Sequence, residues 1–252
     1  MGPEVDRSPG SRRPDANDRI LAIVPAYNES GNIGRTVREL QAVPLPLDIL
    51  VVDDGSRDAT LREAREAGVL TVALPFNLGI GGAVQTGFQF AARKKYRAAV
   101  QVDGDGQHDA RFLPDLLRPI ESGEADMVIG SRFLPPYVGY RSSFIRRIGI
   151  QFFAWLIGAL TGYRVTDPTS GFRAFNRRMI KTFAGRYPQD YPEPESIVLA
   201  SRMSAQVKEV PVQMRERLSG HSSIRYLATL YYMFKVTLAI LLDMVKVNKT
   251  GE

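Results

Sequence analysis

Cysteine is absent from the 252 residues of this chain, histidine occurs twice and tryptophan once. Without thiolates there is no cysteine nucleophile, no Cys-ligated zinc and no iron–sulfur cluster. His108 and His221 alone disfavour a zinc site of several imidazoles, so any catalytic metal rests on oxygen or nitrogen donors. Long apolar runs are also missing. Ile145 to Leu160 and Tyr226 to Leu242 come nearest, but each is shorter than, or interrupted within, the roughly 20 residues a membrane-spanning helix needs. Residues 1–19, rich in Pro, Ser, Asp and Arg, lack the apolar segment of a signal peptide and read as a disordered tail. The remainder, in a chain 44% hydrophobic and 24% charged, is long enough for one large α/β domain or two small ones.

The formal net charge of +6 is unevenly spread. Residues 1–129 hold 15 Lys/Arg against 19 Asp/Glu, whereas residues 130–186 hold ten basic side chains against the single acid Asp167. Such a basic second half suits nucleic acid, an anionic membrane surface or a phosphorylated substrate. No nucleic-acid-binding motif, and no basic stripe interleaved with aromatics, accompanies it, so no nucleic acid is expected as a partner.

From Ile20 onward, strand and helix patterns alternate. ILAIVPAY, LDILVVDD, VLTVAL, AAVQVDGD and ADMVIGSRF read as five strands, the second a continuous apolar run of the kind buried on both faces of a parallel sheet. Between them, helical spacing covers Glu29 to Ala42, a segment ending at Ala67 and capped by Asp58 or Thr60, Gly81 to Arg93, and Leu113 to Glu121. Short connections between alternating elements predict a doubly wound sheet that binds ligands at the carboxyl ends of its strands. After Phe133 the alternation stops. The two apolar stretches beyond it suit helices lying in a bilayer interface or packed in a core.

The polar residues that follow the strands carry the chemistry. In QVDGDGQHD, Asp103 and Asp105 flank one glycine after an apolar strand, and two carboxylates so close repel unless a cation lies between them. Hard oxygen ligands favour Mg²⁺ or Mn²⁺ bridging a diphosphate, with Gln107 as a further oxygen donor. An EF-hand is excluded, because its twelfth position would be Pro114. VVDDGSRDAT places Asp53 and Asp54 where a carboxylate accepts hydrogen bonds from a base edge or a ribose hydroxyl. VPAYNES adds Pro25, Tyr27 and Glu29. FNLGIGGAVQTG, with Asn77 and Gly79, misses both familiar phosphate signatures: Val84 stands where a third glycine would, and Phe88 where the P-loop lysine would.

Together and in this order, the motifs resemble the family 2 glycosyltransferases of GT-A fold. ADMVIGSRF, TDPTSGFRAF and MRERLSGHSSI are similar to the branch containing dolichol-phosphate mannose synthase and bacterial polyprenyl-phosphate glycosyltransferases. The resemblance implies an α/β, Rossmann-like, mostly parallel sheet flanked by helices, spanning residues 20–224, with a C-terminal apolar helix at 225–247. It divides into a nucleotide-sugar and metal half (20–133) and an acceptor half (134–224). By the same resemblance Pro25, Tyr27, Glu29, Asp53, Asp54, Asn77 and Gly79 cradle the nucleotide, and Asp103, Asp105 and Gln107 hold Mg²⁺ or Mn²⁺. Arg132, Arg146 and Arg217 face acceptor or donor phosphates, with Asp103, Asp105 and Arg132 as the catalytic set.

The implied activity is inverting transfer of a hexose from a UDP- or GDP-sugar to a polyprenyl phosphate at the cytoplasmic face of a membrane. The chain would sit there peripherally, its C-terminal helix docked on the bilayer or on a small membrane protein. A phosphate acceptor is anionic near neutral pH and attacks without a strong general base. A hydroxyl acceptor, with Glu195 as base, and a catalytically silent nucleotide-sugar-binding protein are the alternatives. Asp167, the lone acid of its segment, is expected to pair with Arg173 or to position the acceptor. Ser223 replaces a lysine common in dolichol-phosphate mannose synthases, and Ala154 breaks the Q-x-x-R-W pattern of processive synthases.

Overall fold

The computed structural model describes residues 18–136 and 144–215 together with 235, 237 and 238, the side chains of 144–146 excepted. Its chain order begins β1 (Ile20–Ala26), α1 (Ile33–Gln41), β2 (Leu47–Asp53), α2 (Thr60–Glu66), β3 (Leu70–Ala73), α3 (Gly79–Lys94) and β4 (Ala98–Gln101). It continues with α4 (Leu113–Glu121), β5 (Met127–Ser131), α5 (Phe144–Thr161), β6 (Arg173–Asn176), α6 (Arg177–Gly185), α7 (Pro192–Arg202) and β7 (Val207–Pro211).

The strands form one sheet in the order β3-β2-β1-β4-β6-β5-β7, parallel except for β6, which runs antiparallel to β4 and β5. All seven residues of β1 are buried, because the strand lies inside the sheet and is covered on both faces. Its alternation divides the core: Ile20, Ala22 and Val24 pack with Val37, Leu40 and Leu116 beneath α1 and α4, whereas Leu21 and Ile23 pack with Phe88, Ile157 and Phe183 beneath α3, α5 and α6. On that second face Phe88 meets Phe175, Phe183 and Tyr187 at centroid separations of 5.0, 5.3 and 5.2 Å. These tilted and edge contacts add to the roughly 1.5–3 kcal/mol of burying such a ring.

The glycines of α3 serve this packing. A Cβ on Gly87 would stand 2.3 Å from Ile23 Cγ2, and one on Gly81 would stand 2.5 Å from the backbone of Pro188 and Gln189. Close approach of α3 to β1 sets the height of the helix start against the carboxyl ends of β1, β2 and β4. The five predicted strands are present, but the alternation does not stop after Phe133. β6 and β7 complete the sheet, with α6 and α7 between them. β6 is only four residues long and carries a buried arginine, and β7 is an edge strand of partly exposed residues ending in Pro211, so neither has an apolar signature.

Candidate active site

The carboxyl ends of β1, β2 and β4 open onto a cleft of about 300 Å³. Pro25, Ala26, Tyr27 and Glu29 line it beyond β1, Asp54 beyond β2, Asn77, Gly79, Ile80 and Ala83 at the start of α3, and Asp103, Gly104 and Asp105 beyond β4. Eight residues singled out from sequence thus meet in one place: Pro25, Tyr27, Glu29, Asp54, Asn77, Gly79, Asp103 and Asp105. Asp53 and Gln107 lie outside that lining.

VPAYNES and VVDDGSRDAT form one brace. The expected helix at Glu29 begins only at Ile33, because Asn28 and Gly31 take left-handed backbone conformations, φ +54° and +85°, and the N–H groups of this turn bond VVDDGSRDAT and Glu63 of α2. Asn28 N donates to Ser56 Oγ at 3.0 Å, Glu29 N to Thr60 Oγ1 at 2.8 Å, Ser30 N to Asp58 Oδ2 at 3.1 Å and Gly31 N to Glu63 Oε2 at 2.8 Å. Asp54 does the same for α3, accepting from Leu78 N at 2.7 Å and Gly79 N at 3.0 Å. Burial pushes its carboxyl up, and these two backbone donors offset part of the shift. Asp53 is buried; Oδ2 accepts from Ser56 N at 3.3 Å, whereas Oδ1 has no hydrogen-bond partner.

Asp103 and Asp105 are held by a turn rather than by each other. His108 stacks on Phe172 with ring centroids 4.7 Å apart, and its Nδ1 accepts the Asp103 N–H at 3.0 Å. Burial drives the imidazole down to about 4, so near neutral pH it is uncharged and Nε2 bears the proton. Asp105 Oδ1 accepts from Gln107 N at 3.0 Å, and Thr36 Oγ1 donates to Gly104 O at 3.2 Å. Gln107 turns its amide to Arg215 O, and Arg215 N donates to Gln107 O, bracing the loop from behind. Arg215 is itself clamped by Glu39 and Asp109.

Burial pushes the Asp103 carboxyl up to about 6. The Gln101 amide, close by but outside hydrogen-bond geometry, and the charge of Arg132 offset part of the shift, while Glu29 adds to it. Two neighbours here were not singled out from sequence: Gln101, hidden within an apolar strand pattern, and Gly171 of TDPTSGF, which abuts the Asp103 carboxylate.

Arg132 reaches Asp103 with its charge, but its guanidinium is gripped by Asp167, Nε to Oδ2 at 2.6 Å and Nη2 to Oδ1 at 2.7 Å. The expected Asp167–Arg173 pair is therefore corrected. Arg173 is fully buried and donates to Pro168 O, Ser170 O, Glu193 O and Ser196 Oγ, pinning the TDPTSGF loop to the start of α7. Glu195 caps its own helix, accepting from Tyr191 N at 3.1 Å; the Glu193 carboxyl is raised by burial, with the Arg173 charge lowering it and the Asp103 charge raising it. The Arg146 side chain, Arg217 and, apart from residues 235, 237 and 238, the segment 225–247 lie outside the described residues, as do residues 1–17 of the expected tail.

Among the described residues no three His, Asp or Glu side chains form a preassembled metal cluster. Two carboxylates on one cleft wall are nevertheless the donor set of a Mg²⁺ or Mn²⁺ ion completed by phosphate oxygens and water, so Asp103 and Asp105 fit such an ion. Among the described residues no helix is long and apolar enough to cross a membrane.

The sequence model of glycosyl transferase family 2 matches residues 21–184. The UDP-N-acetylglucosamine–dolichyl-phosphate N-acetylglucosaminyltransferase of Methanococcus voltae is 30% identical, the alignment covering 79% of this chain and 86% of that protein. The polyprenol monophosphomannose synthase of Mycolicibacterium smegmatis is 31% identical over 90% of this chain and 88% of its own. Among solved structures, glucosyl-3-phosphoglycerate synthase of Mycobacterium tuberculosis, in complex with Mn²⁺, UDP and phosphoglyceric acid, superposes with a TM-score of 0.70. At 21% identity, covering 97% of this chain and 86% of that one, it shows a shared fold.

Proposed function

Because this chain belongs to glycosyl transferase family 2 and is a glycosyltransferase, we propose that it transfers a hexose from a UDP- or GDP-sugar to a polyprenyl phosphate, inverting the anomeric carbon. The observation that carries this reading is the cleft, where Asp103 and Asp105 meet the Tyr27, Glu29 and Asp54 wall at the ends of three parallel strands. The lipid acceptor is supported by relatives named for dolichyl phosphate and polyprenol.

Pro25, Tyr27, Glu29, Asp54, Asn77 and Gly79 form the nucleotide wall. Asp53 Oδ1, buried without a partner, is an acceptor for a base N–H or a ribose hydroxyl. Asp103 and Asp105 would hold Mg²⁺ or Mn²⁺, with Gln107 keeping their loop in register. The ion supplies charge neutralisation for the departing nucleoside diphosphate. An acceptor phosphate oxygen forms the new bond to C1 as the bond from C1 to the diphosphate oxygen breaks, the electron pair leaving with the diphosphate. Arg132, oriented by Asp167, contributes positive charge to the phosphate region together with Arg146 and Arg217. Ile148 and Trp155 on α5, 46% and 67% exposed, and the apolar segment 225–247 would rest on the cytoplasmic face of the membrane.

Incubating the protein with candidate nucleotide sugars, Mn²⁺ or Mg²⁺ and a short polyprenyl phosphate, then extracting the lipid, tests the proposal. Radiolabelled sugar is expected in the organic phase. Glycosylation of hydroxyl acceptors alone overturns the lipid assignment, and full activity of Asp103→Ala or Asp105→Ala overturns the metal assignment.

A further inference from the structure

Gln101 stands two residues before Asp103 at the end of β4, so the two side chains leave the chain on the same side. It is fully buried, and neither Nε2 nor Oε1 meets a hydrogen-bond partner. Such an amide is rare in a native interior, where polar groups are almost always satisfied. Its neighbours do not relieve it. Arg173, the register partner of Gln101 on β6, directs its N–H groups to Pro168 O, Ser170 O, Glu193 O and Ser196 Oγ.

Gly171 is what lets amide and carboxylate converge. A Cβ at that position would stand 3.0 Å from both Asp103 oxygens and 3.2 Å from Gln101 Nε2. Any side chain there would drive the carboxylate outward or the amide aside. The glycine of TDPTSGF thus keeps open a space in which an orphaned donor faces a carboxylate that lines the cleft.

We propose that Gln101 is the positioning residue of Asp103 in the cation-bound protein: there Nε2 donates to one carboxylate oxygen and directs the other into the cleft, toward the divalent cation, with Gly171 holding the space for that contact. The inference rests on the metal reading given above. Hydrogen-bonded partners behind a metal-bound carboxylate set its orientation, and losing one lowers metal affinity about 10- to 100-fold.

Mn²⁺ binding is measured directly, by the electron paramagnetic resonance signal of free Mn²⁺, in the presence of UDP or GDP and without sugar or acceptor. Gln101→Met keeps the length and removes the amide; Gln101→Asn keeps the amide but withdraws it by one methylene. Both are expected to raise the Mn²⁺ dissociation constant about 10-fold or more, while the metal-free Tm of Gln101→Met does not fall, because an unsatisfied buried group is lost. A merely structural glutamine predicts the opposite, a lower Tm with Mn²⁺ affinity intact. Mn²⁺ affinity within about twofold of wild type in Gln101→Met overturns the proposal, and should that variant not fold, the same result in Gln101→Asn does so. If the wild-type protein binds no Mn²⁺ with either nucleotide, the metal reading itself falls and takes this inference with it.

Discussion

Asp167→Asn removes a charge from the most deeply buried ion pair of the described residues while preserving side-chain shape. Asp167 is 0% and Arg132 4% exposed. Oδ2 accepts Arg132 Nε at 2.6 Å and the Arg132 backbone N–H at 3.1 Å, and Oδ1 accepts Nη2 at 2.7 Å. Removing one partner of such a pair leaves an uncompensated charge and costs about 3–5 kcal/mol. For a chain of this size that loss corresponds to a fall in Tm of roughly 6–20 °C. Urea denaturation of Asp167→Asn, Arg132→Met and the double variant Arg132→Met/Asp167→Asn measures it. The double variant should lose at least about 2 kcal/mol less than the sum of the single losses, since it buries no unpaired charge. A loss under about 1 kcal/mol in Asp167→Asn, or simple additivity, would refute the reasoning.

Gly55→Ala is expected to destabilise by about 1–3 kcal/mol and to raise KM for the nucleotide sugar: φ is +72°, and the new Cβ would press within 3.0 Å of the Phe76–Asn77 backbone on the cleft wall. Denaturation and steady-state kinetics check both effects. Asp54→Asn weakens the two backbone hydrogen bonds at the start of α3, a capping loss of about 1 kcal/mol, and should raise KM for the donor more than it lowers kcat. For Asp58 burial raises the carboxyl, but the hydrogen bonds from Thr60 and Ser30 together outweigh it and hold the carboxyl below the ordinary 3.8. That stabilisation is present above pH 3.8 and lost as pH falls through the depressed value. The Tm deficit of Asp58→Asn should accordingly shrink from pH 6 to pH 3.5, and a constant deficit in melting curves across that range contradicts the assignment.

The residues of the cleft were legible because each follows an apolar strand, and strand ends in a doubly wound sheet point to one edge. α4 was readable to the residue, since its apolar positions are local and periodic. β6 and β7 were not. Pairing in register with β4 and β5, rather than apolar alternation, makes RAFN and VKEVP into strands. The glycines of FNLGIGGAVQTG correctly failed to match a phosphate loop, but what they do, letting α3 press on Ile23 and on Pro188–Gln189, needed the packed helix.

The sequence by itself determined the family, the succession of the first five strands along the chain and four of the five carboxylates singled out for the cleft, Asp53 being the exception, because these depend on local patterning and on motifs in fixed order. Only the tertiary structure decided the partners of buried charge: Arg132 rather than Arg173 on Asp167, Glu193 in electrostatic reach of Asp103, and Gln101 and Gly171 against the Asp103 carboxylate. Those choices depend on which strands become neighbours, and in a sheet that places β6 between β4 and β5, neighbours in space lie some 35 to 90 residues apart in the chain.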